Sequence, residues 1–138
     1  IKIFTGGSVG IVDVEDVSKI MVELMNSDSI SGERFILNSE NISNKELLLR
    51  IAKLLNKKAP TIRANSWMLS LAWRTAKLAS WITGKKPVIT EESTRAASDL
   101  LAYSNEKIVT TISYSFKPLN STLEEIANTY YNNKTQTI

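Results

Sequence analysis

Gly6, Gly7 and Gly10, in the stretch Thr5-Gly6-Gly7-Ser8-Val9-Gly10, are the residues whose type and spacing come nearest to chemistry. They follow a short apolar run. So do the glycines of a dinucleotide loop, which turn a strand sharply, bring the backbone up to a pyrophosphate and lead into a closely packed helix. Gly7 and Gly10 satisfy one interval of that pattern. The third glycine would fall at position 13, where Asp13 stands, and a carboxylate aimed at a pyrophosphate repels it. Ile11 and Val12 after Gly10 are β-branched and strand-like. The stretch is therefore expected to be a plain loop before a strand, with no cofactor bound in this fragment.

Other chemistries are limited by composition. The 138 residues contain no Cys and no His, which removes disulfides, thiolate chemistry, the commonest zinc ligand and the commonest general base. The 17 basic and 14 acidic residues leave a formal charge of +3 spread along the chain, with Lys57-Lys58 and Lys85-Lys86 the only adjacent basic pairs. A phosphate groove needs clustered cations, so no nucleic-acid partner is expected. Trp67 and Trp73 could line an apolar pocket, or simply belong to the core. Asp13 is expected to cap a helix.

The elements that would position these residues follow from periodicity. Asp13 is the N-cap of a helix whose apolar face is Val14, Val17, Ile20, Met21, Leu24 and Met25, fed by a short strand at Gly10-Ile11-Val12. Ser31-Gly32-Glu33 forms a turn, and Arg34-Phe35-Ile36-Leu37-Asn38 has the composition of a buried strand. Ser43 with Glu46 makes a capping box for a helix over about residues 44–56, and Pro60 opens an extended piece, Thr61-Ile62-Arg63. The segment Ser66 to Thr83 is an apolar helix with only a narrow polar stripe of Ser70, Arg74 and Lys77, ended by Gly84. Two cations inside it argue against a membrane span. Protein wrapped around it, a pocket or a partner would explain its width. Thr90 caps a polar helix through about Ala102, a short helix follows around residues 105–111, and Ser121 with Glu124 opens a last helix to about Asn132.

A hydrophobic fraction of 43% with 22% charged residues is ordinary for a globular domain, and this length suits one domain rather than two. The expected fold is mixed α/β, mainly helical, with a few short strands that extend a sheet lying elsewhere. Residues 1–132 form a single region and 133–138 a frayed polar tail. The start at Ile1 without Met suggests the interior of a longer protein, and the lack of a signal peptide suggests the cytoplasm.

Several segments carry a resemblance, in order along the chain. GIVDVEDVSKIMVELM resembles the strand-to-helix segment of extended short-chain dehydrogenases/reductases, the NAD-dependent epimerase/dehydratase and dihydroflavonol-reductase-like group. SGERFILNSENISNKELLLRIAKLL resembles the following strand and helix of that family, GKKPVITEESTRAASDLLAYSNEKI the segment leading to its Y-D-x-S-K element, and FKPLNSTLEEIA its closing helix. The resemblance implies a C-terminal, substrate-binding part of a Rossmann-type enzyme. In the parent protein NAD or NADP would carry hydride and a Tyr-x-x-x-Lys pair would move the proton, both supplied by an N-terminal Rossmann domain absent from this chain.

Tyr103 with Lys107 and Tyr130 with Lys134 share the Tyr-x-x-x-Lys spacing, but hydride transfer also needs a bound nicotinamide, so both are read as coincidences of spacing. The family's nucleotide-sugar enzymes carry an Arg just before the strand matching Ile11-Val12. Ser8-Val9 stands there, which favours a less charged substrate. The resemblance puts Arg63 and Arg95 where the substrate lobe faces the catalytic domain, and Trp67 and Trp73 join them as substrate-binding candidates. Expected partners are the missing Rossmann domain, a small-molecule substrate and, through the exposed joint, a second copy of the chain. An alternative from another class is a free-standing helical interaction module that holds a partner with the Trp-rich helix 66–83.

Overall fold

The computed structural model describes residues 2–84, 92 and 96–136. Local hydrogen bonding starts and stops its helices. Helix α1 (Val14–Met25) begins where the Asp13 carboxylate accepts the Glu15 N–H at 2.8 Å. Helix α2 (Asn44–Leu54) begins where the Ser43 hydroxyl accepts the Glu46 N–H at 3.2 Å. It ends two residues earlier than the expected Asn56. There Asn56 turns left-handed at φ 48°, its N–H donates to the Lys53 carbonyl, and the Lys57 N–H donates to that of Ala52 at 2.8 Å. This pair of bonds is a Schellman stop, which satisfies carbonyls that a longer helix would have used. Helix α3 (Ser66–Thr83) has the expected bounds, and Gly84 closes it at φ 67°.

Among the described residues four short strands make two pairs. β2 (Ser8–Ile11) runs antiparallel to β3 (Glu40–Ser43), with Val9 opposite Ile42 and Ile11 opposite Glu40. β1 (Ile3–Phe4) runs parallel to β4 (Ile62–Arg63). Alternation puts Val9, Ile11 and Ile42 on one face of the β2/β3 ribbon. The core forms there: Ile42 packs with Leu119 and Leu123, and Leu47, Ile51 and Leu54 close over them from α2. Those three α2 residues recur at helical spacing, so one face of the helix meets the last helix, α5 (Leu119–Gln136). The short helix α4 (Glu106–Ile112) stands where a helix was expected, anchored by the wholly buried Ile108.

Mixed α/β, mainly helical, is thus the architecture among the described residues, with about half of them in the five helices. Several boundaries differ from expectation. Arg34–Asn38 is not a strand. β2 takes Glu40–Ser43 as its partner instead, and side chains from the α4 region claim the segment's carbonyls, Lys107 Nζ donating to Arg34 O and Asn105 Nδ2 to Asn38 O. Strand propensity without a ladder partner leaves an extended loop. Only Ile20 of the expected α1 face is buried, while Val14, Met21 and Met25 are exposed.

The polar helix expected from Thr90 to Ala102 lies partly outside the described residues. Its C-terminal end, residues 97–102, is not helical, because the Ala97 and Asp99 carbonyls accept from Gly7 and Ser8. Helix α5 starts at Leu119 rather than at Ser121, with the Pro118 carbonyl accepting from Ser121 and Thr122. It also continues to Gln136 through most of the expected frayed tail, since neither Gly nor Pro follows Asn132 to stop it.

Candidate functional site

The loop between β1 and β2 is held by hydrogen bonds to distant segments. The Gly7 N–H donates to Ala97 O at 3.2 Å and the Ser8 N–H to Asp99 O at 3.0 Å. Ser8 Oγ donates to Leu101 O at 2.7 Å, and Asn44 Nδ2 donates to Thr5 Oγ1 at 2.8 Å and to Ala97 O at 3.2 Å. Each glycine lets another piece of the chain come close. A Cβ on Gly7 would lie 2.6 Å from Ala97 O, one on Gly10 2.7 Å from Asn38 Oδ1, and one on Gly6 2.8 Å from Arg63 Nη2. A dinucleotide loop keeps its N–H groups free for pyrophosphate and leads into a helix. Here the N–H groups of Gly7 and Ser8 serve the 97–101 segment, and a strand follows. These residues do not fit a nicotinamide dinucleotide.

Of the expected substrate contacts, Arg63 is brought to this loop, its guanidinium laid against Gly6 at the end of β4. Trp67 lies four residues on, exposed in the first turn of α3. Trp73 is on a different side of that helix, half-buried, with the Arg74 guanidinium 5.7 Å from its ring centre. Arg95 lies outside the described residues. The structure therefore joins Arg63 to the glycine loop and separates Trp73 from Trp67. Lys107 is engaged away from Tyr103, bonded to Glu33 at 2.5 Å and to Arg34 O at 3.1 Å, and 4.9 Å from the Phe35 ring centre. The Lys134 side chain lies outside the described residues. No cluster of carboxylates able to hold a metal ion occurs among the described residues.

A second polar cluster was missed by sequence reasoning. Asp16 accepts the Tyr114 hydroxyl at 2.8 Å and the Lys117 N–H at 2.9 Å, while Asp13 accepts the Thr122 hydroxyl at 2.6 Å and meets Lys117 Nζ at 3.2 Å. Lys117 Nζ also reaches Glu125 at 2.5 Å. The only local sign was Asp13 and Asp16 at the start of α1, where the helix dipole alone accounts for both. The Thr122 hydroxyl, the Glu15 N–H and Lys117 lower the Asp13 pKa from 3.8 to about 2. Burial and the bond to Asp16 raise that of Tyr114 from 10.0 to about 12. A general acid or base works best near neutral pH, so these two groups lock elements together rather than move protons.

Beside this cluster runs an open groove of about 630 Å³ between the start of α1 and α5, with Ile11, Val12, Leu119, Leu123, Ile126 and Tyr130 along it. A smaller apolar cavity of about 200 Å³ adjoins it, sharing Leu123, Ile126 and Tyr130 and reaching toward Ile51, Leu54 and Leu55 of α2. Among the described residues no helix is long and apolar enough to cross a membrane.

Fold and site together define a small mixed α/β unit built round a glycine loop held by long-range hydrogen bonds. No protein-family model matches the chain, and no curated protein matches it. Among solved structures it is similar to the crystal structure of gox2253, with a TM-score of 0.72 and 21% sequence identity over 97% of this chain and 40% of that one. The chain thus spans two-fifths of the length of the structure it matches, and at this identity the likeness concerns the fold.

Proposed function

We propose that this chain is the substrate-binding portion of an NAD(P)-dependent epimerase/dehydratase or reductase of the extended short-chain dehydrogenase/reductase type. In this reading it contributes no cofactor contact or catalytic pair of its own. A Rossmann portion of the parent protein supplies both, and this portion closes over the substrate and sets specificity. The observation that carries the reading is the Arg63 guanidinium laid against Gly6, with the exposed Trp67 four residues on at the start of α3. A cation and an aromatic face at the rim of a loop held by long-range bonds can orient a polar substrate with an apolar body. The match to part of a longer solved chain supports a unit that works within a larger body.

The test is reconstitution. The chain joined to the residues that precede it in its open reading frame should bind NADH or NADPH in a calorimetric titration and turn over a carbonyl or nucleotide-sugar substrate. Arg63→Ala in that protein should raise KM about tenfold, as for a lost charge-assisted contact. A joined protein that binds neither dinucleotide would sink the reading. The exposure of α3 favours a second reading, a free-standing module holding a protein partner, and that same negative result would leave it standing.

A further inference from the structure

Helix α3 presents a continuous stripe to solvent. Trp67, Leu71, Arg74, Leu78 and Trp81 follow one another at steps of four and three residues, which puts them within about 80° of the helix circumference. All five are exposed, and the four apolar ones are strongly so, at 66%, 55%, 57% and 84%. Arg74 sits at the centre of the stripe and Lys77 borders it, and no acidic residue occurs anywhere in Ser66–Thr83. The surface is apolar and cationic.

The groove beside α5 has the complementary character. Its floor is aliphatic and aromatic, from Ile11, Val12, Leu119, Leu123, Ile126 and Tyr130. Its rim carries the carboxylates of Asp13, Glu15 and Glu125, and among the described residues no Lys or Arg lines it. Lys117 lies beneath as the shared partner of all three, and Lys19 leans on Glu15 from the next turn of α1 at 3.7 Å, so three carboxylates at the rim face two ammonium groups. The side chains of Glu15 and Glu125 remain more than half exposed and open to a further cation. Lengths agree as well. The stripe from Trp67 to Trp81 and the groove from Leu119 to Asn133 along α5 each span fourteen residue steps, about 21 Å.

We infer that the groove beside α5 receives helix α3 of a second copy of this chain, with Trp and Leu side chains on the apolar floor and Arg74 and Lys77 at Glu15 and Glu125. Groove and helix are different surfaces of one molecule, so two such contacts made reciprocally close a two-fold dimer. The apolar stripe supplies the driving force, and opposite charges set the register and reject the wrong alignment.

Charge reversal in both surfaces tests this on the 138-residue chain. Sedimentation of the wild type should show a mass above the 15.4 kDa of one chain at tens of micromolar. Arg74→Glu with Lys77→Glu, and separately Glu15→Lys with Glu125→Lys, should each weaken self-association at least tenfold. Mixing the two variants should restore a one-to-one complex, since both contacts are then complementary. The restored complex also shows that each variant is folded. A second measurement avoids the acidic cluster altogether. Because the chain has no cysteine, Leu78→Cys in one copy and Ile126→Cys in another should form an intermolecular disulfide on mild oxidation, faster than Leu78→Cys paired with Asp28→Cys. A wild type that stays at single-chain mass overturns the inference, as does association that survives both charge reversals. Equal disulfide rates for the two cysteine pairs also overturn it, leaving the groove to some other occupant.

Discussion

At the scale of single residues, the three glycines near the start of the chain are distinguished by what approaches them. At Gly7 the neighbours are two backbone carbonyls, Ala97 O and Asp99 O, which cannot withdraw without breaking the bonds that hold the loop. At Gly10 they are the buried Asn38 amide and the Tyr103 ring, and at Gly6 the end of the flexible Arg63 side chain. Gly7→Ala should therefore destabilise the chain by about 1–3 kcal/mol, as for an overpacked core, and Gly10→Ala by nearly as much. Gly6→Ala should cost less than either, because Arg63 can swing aside. Chemical denaturation of the three variants checks the order, and equal losses at all three would contradict it. Spacing alone suggested one interval of a dinucleotide loop, and could not show this, because the atoms that need the room lie more than 25 residues away in sequence, and at Gly7 about 90 residues away.

At the scale of elements, α2 and α3 contrast two ways of making a helix. α2 has the Ser43 hydroxyl as a cap at its start, a Schellman stop at its end, and one face buried on α5. Arg50 also pins it, donating to Glu40 on β3 at 2.9 Å and to Asn120 on α5 at 3.1 Å. α3 has no side-chain cap at Asn65 and keeps its longest stripe of apolar residues in solvent. Local opening needs little free energy where few apolar contacts are lost. Hydrogen exchange at low micromolar concentration should thus show α3 amides exchanging at least tenfold faster than those in the middle of α2. Slow exchange of α3 at all concentrations would mean that it is held within one copy. Wrapping protein, a pocket or a partner was expected to explain the width of α3, and none of the described residues of the same copy covers the stripe from Trp67 to Trp81. Its breadth of apolar surface was legible, but composition does not reveal whether a neighbour covers such a surface.

Across the whole molecule, stability against pH depends on groups that tie the start of α1 to the far end of the chain. Asp13 has its pKa lowered from 3.8 to about 2, chiefly by the Thr122 hydroxyl and the Glu15 N–H. A lowered carboxylate contributes stability that is present above about pH 4 and is lost as pH falls through 2. Tyr114 is raised from 10.0 to about 12, by burial and then by its bond to Asp16. Its contribution is present below pH 10 and is lost as pH rises through 12. The melting temperature should be flat between these limits and fall outside both. Thr122→Val should flatten the acid limb, and Tyr114→Phe the alkaline limb along with the phenolate absorbance that grows in near pH 12. An unchanged alkaline limb in Tyr114→Phe would show that another group governs it.

What the sequence determined by itself was local. Asp13, Ser43 and Gly84 mark helix ends because a cap is made by atoms a few residues apart, and the C-terminal end of α3 followed from that. The tertiary structure alone decided which segments pair. Glu40–Ser43 rather than Arg34–Asn38 is the strand against β2, although the latter has the stronger strand composition. It also set Arg63 against Gly6 and joined Asp16 to Tyr114 and Lys117 across about a hundred residues. Pairings of that kind depend on which surfaces the folded chain brings together. A side-chain period encodes the face that an element buries, and not the partner that covers it.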